Sequence, residues 1–381
     1  MKIAIIHDCI YPFRKGGGEV RNYHLSRQLA KMGHEVFLVG MKDWDGDDYL
    51  ELSEGVTAVG VSSGLSLYDS TGKRTIGDAM MFSASCSSAN LEKYIPDVDI
   101  VEANNIPYMH LPNVWKWTRE KDIPMYVTWH EVYGYSHWRK ERNPIVGAVA
   151  TYYERNSMKF GDYLIAVSDH TKNRLLEKGV PEERIRVVLA GVDTPKIAVC
   201  PPEGSESDVI YSARLVSHKR VDLLLSASEL AGKKRGRPIK GVVTGDGPLK
   251  EQLKRQAYNM QVDFQFTGWL EEPEEVWGYM KNSKVLVHTS QREGFGFVAL
   301  EAMACGIPVI AMDEETTAIG ELVDDGKNGY ITSPDPESVS DAILKALDNY
   351  EGMAPSCGDR ADSFSWESSG KSLVRAYTLN G

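Results

Sequence analysis

Two carboxylates, Glu293 and Glu301, stand eight positions apart in "REGFGFVALEAMACGIPVIA", a segment otherwise rich in glycine and apolar residues. In such a run almost any face that Glu301 occupies has apolar neighbours, so its carboxylate needs hydrogen-bond donors. Sugar hydroxyls are suitable donors, and Glu293 in the preceding loop is placed to bind a second set of them. The bland alternatives are a salt bridge for Glu301 and plain solvation for Glu293. The amides of Gly294, Phe295 and Gly296 fall where a helix begins, and a helix N-terminus offers unpaired N–H groups and a favourable dipole to a phosphate. Arg214 and Lys219, in "YSARLVSHKRVDLLLSA", put two positive charges beside a strand end, as a diphosphate requires; ordinary surface charge is the alternative. Gly16, Gly17 and Gly18 in "YPFRKGGGEV" let backbone amides approach a ligand closely, or simply form a flexible turn. His130 in "YVTWHEVYG" lies just past a strand end, where it can hydrogen-bond a ligand, carry a proton or serve structure alone.

These residues need rigid elements to hold them. "KIAIIH", a glycine-rich loop, "EVRNYHLSRQLAKMG" with helical spacing and "HEVFLVG" read as strand, helix, strand. The alternation continues through "VDIVEAN", "PMYVTWH" and "YLIAVS", pauses in the Pro-, Gly- and Ser-rich "VDTPKIAVCPPEGSESD", and resumes with "VIYSAR", "GVVTGDG", "FQFTGW", "VLVHTS" and "IPVIAM". The fold class is therefore α/β, with doubly wound, mostly parallel sheets in two domains that meet near the pause. Ligands of such sheets bind at the carboxyl ends of the strands, where the loops carrying Lys219 and Glu293 lie. In "TGDGPLKEQL" the turn from Gly245 to Gly247 reads as structural, with Pro248 at a first helical position.

Composition limits the function. With 381 residues and a net charge of −11, the chain is no general nucleic-acid binder, because phosphate backbones reward a basic face. Five scattered cysteines imply reduced thiols and the cytoplasm, and the N-terminal apolar run, broken by His7 and Asp8, is too short for a signal peptide or membrane span. "DVD" at residues 97–99 reads as a strand entry rather than a metal site, so no metal is expected. "GKKRGRPIKG", residues 232–241, reads as a basic surface loop whose one candidate partner is an anionic membrane. No G-x-G-x-x-G fingerprint is present, which disfavours a dinucleotide oxidoreductase.

In this order, the E-x7-E pair, "GGGE", "WHE", "ARLVSHK" and "GDGP" resemble glycosyltransferase family 4: retaining, nucleotide-sugar-dependent enzymes of GT-B fold. The resemblance spans nearly the whole chain. It implies two Rossmann-like domains facing each other across a cleft, residues 1–195 with 365–381 on the acceptor side and 196–364 on the donor side, and a last helix returning to the N-terminal domain. It implies a nucleoside diphosphate sugar donor, UDP- or GDP-linked, a hexose-type sugar, an acceptor hydroxyl on a glycan, lipid or small molecule, and no cofactor. By the same resemblance Glu293 contacts the donor sugar, Glu301 holds the ribose, Arg214 and Lys219 neutralise the leaving diphosphate, and His130 sits near the transferred sugar. Amides at Gly294, Phe295 and Gly296 hold the donor, and Gly17 and Gly18 close over it. A nucleotide-sugar 2-epimerase and a non-catalytic nucleotide-sugar-binding protein are the alternatives. The chain departs from the family pattern in having Lys219-Arg220 where Lys-Gly is common, and in lacking the usual glycine pair in "DEETTAIGELVDDGKNGY", where Glu321 stands near the expected acid. Acceptor choice is assigned to N-terminal loops at residues 62–81 and 133–144, and contact with the inner membrane face is an expectation.

Overall fold

Short apolar runs such as KIAII become strands buried along almost their whole length, the pattern of a sheet covered by helices on both faces. A computed structural model describes residues 1–63, 75–141 and 144–378. They divide into two compact units: the residues up to 191 together with 366–378, and residues 192–365.

The first unit is built on β1 (Lys2–Ile6), β2 (Glu35–Lys42), β3 (Tyr49–Ser53), β4 (Val56–Ser63), β5 (Ile100–Asn104), β6 (Met125–Trp129), β7 (Tyr163–Ala166) and β8 (Ile185–Val187). Its sheet runs β3-β4-β2-β1-β5-β6-β7-β8. Only the edge pair β3–β4 is antiparallel. Strand order reverses between β1 and β5, where Ile5 pairs with Glu102.

The second unit holds β9 (Ser207–Ser212), β10 (Lys240–Thr244), β11 (Asp263–Gly268), β12 (Ser283–His288), β13 (Val309–Met312) and β14 (Gly329–Thr332). Here the order is β11-β10-β9-β12-β13-β14, reversing between β9 and β12. Every ladder in this sheet is parallel. Such reversal points open a crevice at the strands' carboxyl ends.

The C-terminal helix Trp366–Thr378 belongs to the first unit, as the family pattern implies. Gly370 lets it pack closely on the helix Gly17–Lys31: a Cβ there would lie 2.7 Å from Gln28 Cβ. Trp366 stacks on His24 with ring centroids 4.6 Å apart. The Tyr126 hydroxyl donates to the Tyr377 carbonyl at 2.9 Å, and the Tyr377 hydroxyl donates to Glu102. Glu102, fully buried, also accepts from Thr128 at 2.6 Å and lies 3.5 Å from the guanidinium of Arg21, itself 1% exposed. A buried charge pair of this kind binds its elements because neither charge is stable there alone.

Two sequence expectations change. The basic run at residues 232–241 is not a loop throughout, since Lys233, Lys234 and Arg235 form the last turn of the helix Val221–Arg235, closed by Gly236 at φ 75°. Nor is it a free positive patch: Lys233 pairs with Glu229, Lys234 with Glu337 and Asp341, Arg235 with Asp348, and Arg237 with buried Asp208. Pro248 precedes the helix Lys250–Asn259 by two residues instead of opening it. The turn before it is structural as expected, with the Cβ positions of Gly245 and Gly247 within 2.1 and 2.5 Å of the Ala213 and Leu215 carbonyl oxygens. The "DVD" entry also holds, Asp99 accepting the Lys2 amide at 2.7 Å. Of the loops assigned to acceptor choice, residues 64–74 and 142–143 lie outside the described residues.

Candidate functional site

In the second unit the chemistry gathers at the β9/β12 reversal. After β9 a 3-10 turn, Ser217–Lys219, leads into the helix Val221–Arg235 through Arg220, whose φ of 49° and ψ of 46° are left-handed. The turn is pinned from both strands: the Tyr211 hydroxyl donates to the Lys219 carbonyl at 2.9 Å, and the Thr289 hydroxyl bridges the carbonyls of Lys219 and Arg220 at 3.0 and 2.9 Å. So held, Lys219 Nζ reaches Glu293 Oε2 at 2.7 Å. Burial works to raise the Glu293 carboxyl, but the groups around it, Lys219 first with His288 and Arg292, together outweigh burial and keep it below the ordinary carboxylate range. Glu293 is thus bound, not merely solvated.

His288, which sequence reasoning missed, ends β12 with Nε2 3.8 Å from the same carboxylate oxygen. It is 2% exposed, and that nitrogen has no hydrogen-bond partner. Burial, reinforced by the Lys219 charge, pushes its pKa down to about 4, so the ring is neutral at physiological pH. One of nine histidines in an apolar strand, it gives no sequence signal.

The atypical loop near residue 316 clamps the Glu293 segment. The Glu293 amide donates to the Thr316 carbonyl at 3.1 Å, and the Ala318 amide to the Glu293 carbonyl at 2.7 Å. Arg220 donates to Glu314 in the same loop at 3.1 Å and to the Pro334 carbonyl at 2.9 Å. The two departures from the family pattern therefore touch each other: a side chain that strains the backbone at residue 220 anchors the loop that lacks its glycines. Glu321 ends a 3-10 turn, Ile319–Glu321, and is exposed.

The helix Phe297–Ala304 starts behind Gly296, which supplies no side-chain cap and holds φ 99°. A Cβ at Gly296 would lie 2.7 Å from Ile319, a second reason for glycine. Phe295 turns its side chain into the core, against Phe297 and Phe364, which leaves only its backbone to face a ligand. Glu301, about one turn along the helix, is partly buried and paired with no described cation. Burial pushes its carboxyl up to about 7, opposed only by the nearby Trp277 indole N–H, which stands outside hydrogen-bond geometry. Arg214 is exposed beyond β9. The second unit thus unites Lys219, Glu293 and His288 at one strand-end crevice, with Gly296 at the head of the adjacent helix.

In the first unit, Gly17 and Gly18 open the helix Gly17–Lys31 behind an extended Gly16. A Cβ at Gly18 would stand 3.4 Å from the His130 ring and 3.6 Å from His7 Nε2, so the three residues meet at the β1/β5 reversal. His130 Nε2 contacts the Asn104 side-chain oxygen at 2.6 Å. Burial, then Arg21 and His7, hold its pKa well below the ordinary value. The neutral ring is a hydrogen-bonding group, with its Nε2 proton given to Asn104, and is ill suited to carry a proton near pH 7. A second missed residue is Glu154, 1% exposed, whose carboxylate accepts the amides of Tyr133 and Gly134 at 2.6 and 2.7 Å and the Trp138 indole at 3.2 Å. It fixes the segment after β6 and turns Trp138 to packing. The one described cluster close enough to share a metal is His7, Asp8 and Cys9, with candidate atoms within 4.8 Å of one another. His7 Nδ1, its nitrogen donor, already lies 2.9 Å from the Cys9 carbonyl oxygen.

The fold has solved counterparts. Sucrose-phosphate synthase from Thermosynechococcus elongatus superposes with a TM-score of 0.81 at 19% identity, over 99% of this chain and 98% of its own. Anabaena HepE, solved in complex with UDP and glucose, superposes with a TM-score of 0.71 at 18% identity over 99% of each chain. Two parallel-sheet α/β units with this C-terminal return define the GT-B architecture. Curated relatives include an uncharacterized glycosyltransferase of Methanocaldococcus jannaschii, 28% identical over 59% of this chain and 62% of its own length. A GDP-mannose-dependent alpha-(1-6)-phosphatidylinositol dimannoside mannosyltransferase of Mycobacterium tuberculosis is 28% identical over 44% of this chain and 42% of its own. The alpha-monoglucosyldiacylglycerol synthase of Streptococcus pneumoniae is 25% identical over 91% of this chain and 78% of its own. The chain thus spans roughly half the length of the first curated relatives it matches. The family model "Glycosyltransferase Family 4" matches residues 15–196 and "Glycosyl transferases group 1" matches residues 196–363. The chain belongs to glycosyltransferase family 4.

Proposed function

We propose that the protein transfers a hexose-type sugar from a nucleoside diphosphate sugar to an acceptor hydroxyl, with retention of configuration and without a metal. The observation that carries this is the Lys219–Glu293 pair at 2.7 Å, set at the strand reversal of the second unit beside a glycine-led helix. When a donor enters, Lys219 exchanges Glu293 for the diphosphate and Arg214 adds a second charge, stabilising the negative charge that develops as the sugar C1–O bond breaks. Glu293, released, accepts from the sugar hydroxyls, and His288 stands ready to donate to its free oxygen. Glu301 accepts the ribose hydroxyls, and the amides at Gly294, Phe295 and Gly296 hold phosphate. The acceptor oxygen bonds to C1 while its proton passes to the departing phosphate, so no protein base is needed. Gly17, Gly18 and His130 hold the transferred sugar by close approach and hydrogen bonding.

A phospholipid-linked or diacylglycerol acceptor is supported by the names of two relatives, and work at the inner membrane face goes with it. Among the described residues no helix is long and apolar enough to cross a membrane.

The test is a thermal-shift screen against UDP, GDP, ADP and their sugar conjugates with EDTA present, followed by turnover of the stabilising donor. Lys219→Ala is expected to lower turnover by about 10²–10³-fold, the scale of losing one transition-state donor. Unchanged turnover removes Lys219 from the mechanism. Consumption of donor without acceptor, giving an epimer, replaces transfer by epimerisation.

A further inference from the structure

The helix Pro144–Ser157 reverses the usual arrangement. A surface helix buries its apolar stripe and shows charge to water. Here Gly147, Glu154 and Ser157 are the buried residues. Ile145 is 79% exposed, Val149 51%, Tyr152 67% and Tyr153 40%. These four recur at i, i+4, i+7 and i+8, one face of a 3.6-residue period, and exposed Ala148 lies among them.

The helix cannot rotate to hide them. A Cβ at Gly147 would lie 2.9 Å from the Arg139 amide nitrogen, so only glycine fits against the helix Tyr135–Glu141. Glu154 is fixed from the same side by the amides of Tyr133 and Gly134 and the Trp138 indole. The inward face is committed, and the outward face stays apolar.

The charge around this face is the opposite of the chain's. The described cations near it are Arg139, Arg155 and Lys159 against Glu154, in a protein of net charge −11. Glu154 is spent inside. Arg139, Arg155 and Lys159 are exposed, and none is ion-paired with a described acid. In the basic run at residues 232–241, by contrast, Lys233, Lys234, Arg235 and Arg237 are each ion-paired.

We propose that the outer face of the helix Pro144–Ser157 seats on an anionic bilayer, with Ile145, Val149 and Tyr152 entering the headgroup boundary and Arg139, Arg155 and Lys159 meeting lipid phosphates. Aromatic-aliphatic faces flanked by cations are how helices lie in an interface without crossing it. In a twofold dimer through this face the same patch would meet itself, setting Arg139, Arg155 and Lys159 against their own copies.

The test is sedimentation of the full chain with phosphatidylcholine vesicles, with and without phosphatidylglycerol, at low salt. Because it uses no donor, failure of the sugar-transfer reading leaves it interpretable. The chain is expected to sediment with the anionic vesicles and much less with the neutral ones. Arg155→Ala with Lys159→Ala lowers partition by about 25-fold, at about fivefold per cation. Ile145→Ser with Tyr152→Ser lowers it by roughly tenfold, the contribution of two interfacial apolar side chains. All four positions are exposed, so an unchanged Tm verifies the fold, and Lys233→Ala with Lys234→Ala leaves partition unaltered. Absence of anionic-vesicle binding overturns the proposal, as does binding indifferent to Ile145→Ser with Tyr152→Ser. A dimer, detected by light scattering, that those two changes dissolve without any vesicle binding assigns the face to a second copy instead.

Discussion

Protonation of Glu301 offers a quantitative test of the ribose assignment. Burial lifts its carboxyl from 4.5 to about 7, so the empty protein at pH 5.5 holds it almost wholly protonated. A ribose whose hydroxyls both donate needs the carboxylate, and binding must first release the proton. If only the ionised form binds, affinity at pH 5.5 is about thirtyfold below its plateau, rises with pH and flattens above about pH 8. The diphosphate of a sugar conjugate is fully ionised throughout, so the slope belongs to the protein. Calorimetry of the stabilising nucleotide sugar from pH 5.5 to 8.5, in buffers of different ionisation enthalpy, should show release of nearly one proton at pH 6. Glu301→Gln should bind weakly and without that slope. The same shift predicts stability. A raised folded-state pKa means that the contribution is complete below 4.5 and lost as pH rises through 7. Glu301→Gln should therefore leave the melting temperature almost unchanged at pH 5 and raise it at pH 8, by up to about 3 kcal/mol of stability. Affinity independent of pH in the unaltered protein, or equal binding by Glu301→Gln, would refute the ribose assignment.

At residue 220 the left-handed backbone costs a non-glycine residue about 1–2 kcal/mol, which Arg220 offsets through Glu314 and Pro334. Arg220→Gly should melt near the parent, whereas Arg220→Ala, strained and without contacts, should lose about 1–2 kcal/mol; the reverse order in urea unfolding would deny the strain. Glu102→Gln leaves Arg21 buried without its charge partner and should cost about 3–5 kcal/mol in unfolding free energy. A loss under 1 kcal/mol would show that the pair does not hold the C-terminal helix to the first sheet.

Residue type and spacing made several features legible: the parallel sheets, the glycine-led helix, and the placing of Lys219 and Glu293 at strand ends. Each depends on local chemistry, a β-run, a glycine at positive φ or a charge beside a strand end. His288 and Glu154 were not legible, because their meaning comes from burial. Nothing local tells a strand-end histidine whose nitrogen lacks a partner from one satisfied in the core, or a helical glutamate that collects four donors from one in water. The pairing of Lys219 with Glu293 was hidden for another reason: each was assigned to a ligand, and 74 residues separate them. Under the proposed function each is the other's stand-in, the lysine for sugar hydroxyls and the glutamate for phosphate.

The departures from the family pattern carry this further. Arginine in place of glycine at residue 220 and missing glycines after Asp313 look, in sequence, like two independent losses that weaken a donor site. In the structure they are one exchange. The guanidinium of Arg220 spans from a strained turn to Glu314, and the loop thus tethered returns as a parallel bridge beside Glu293. The backbone that carries the candidate sugar-contacting carboxylate is set by contacts with this loop on one side and by the Lys219 ion pair on the other. A chain with only one of the two substitutions would keep the strain without the tether, or the altered loop without its anchor. Double-mutant coupling between Arg220 and Glu314 should accordingly exceed the few tenths of a kcal/mol typical of an exposed pair.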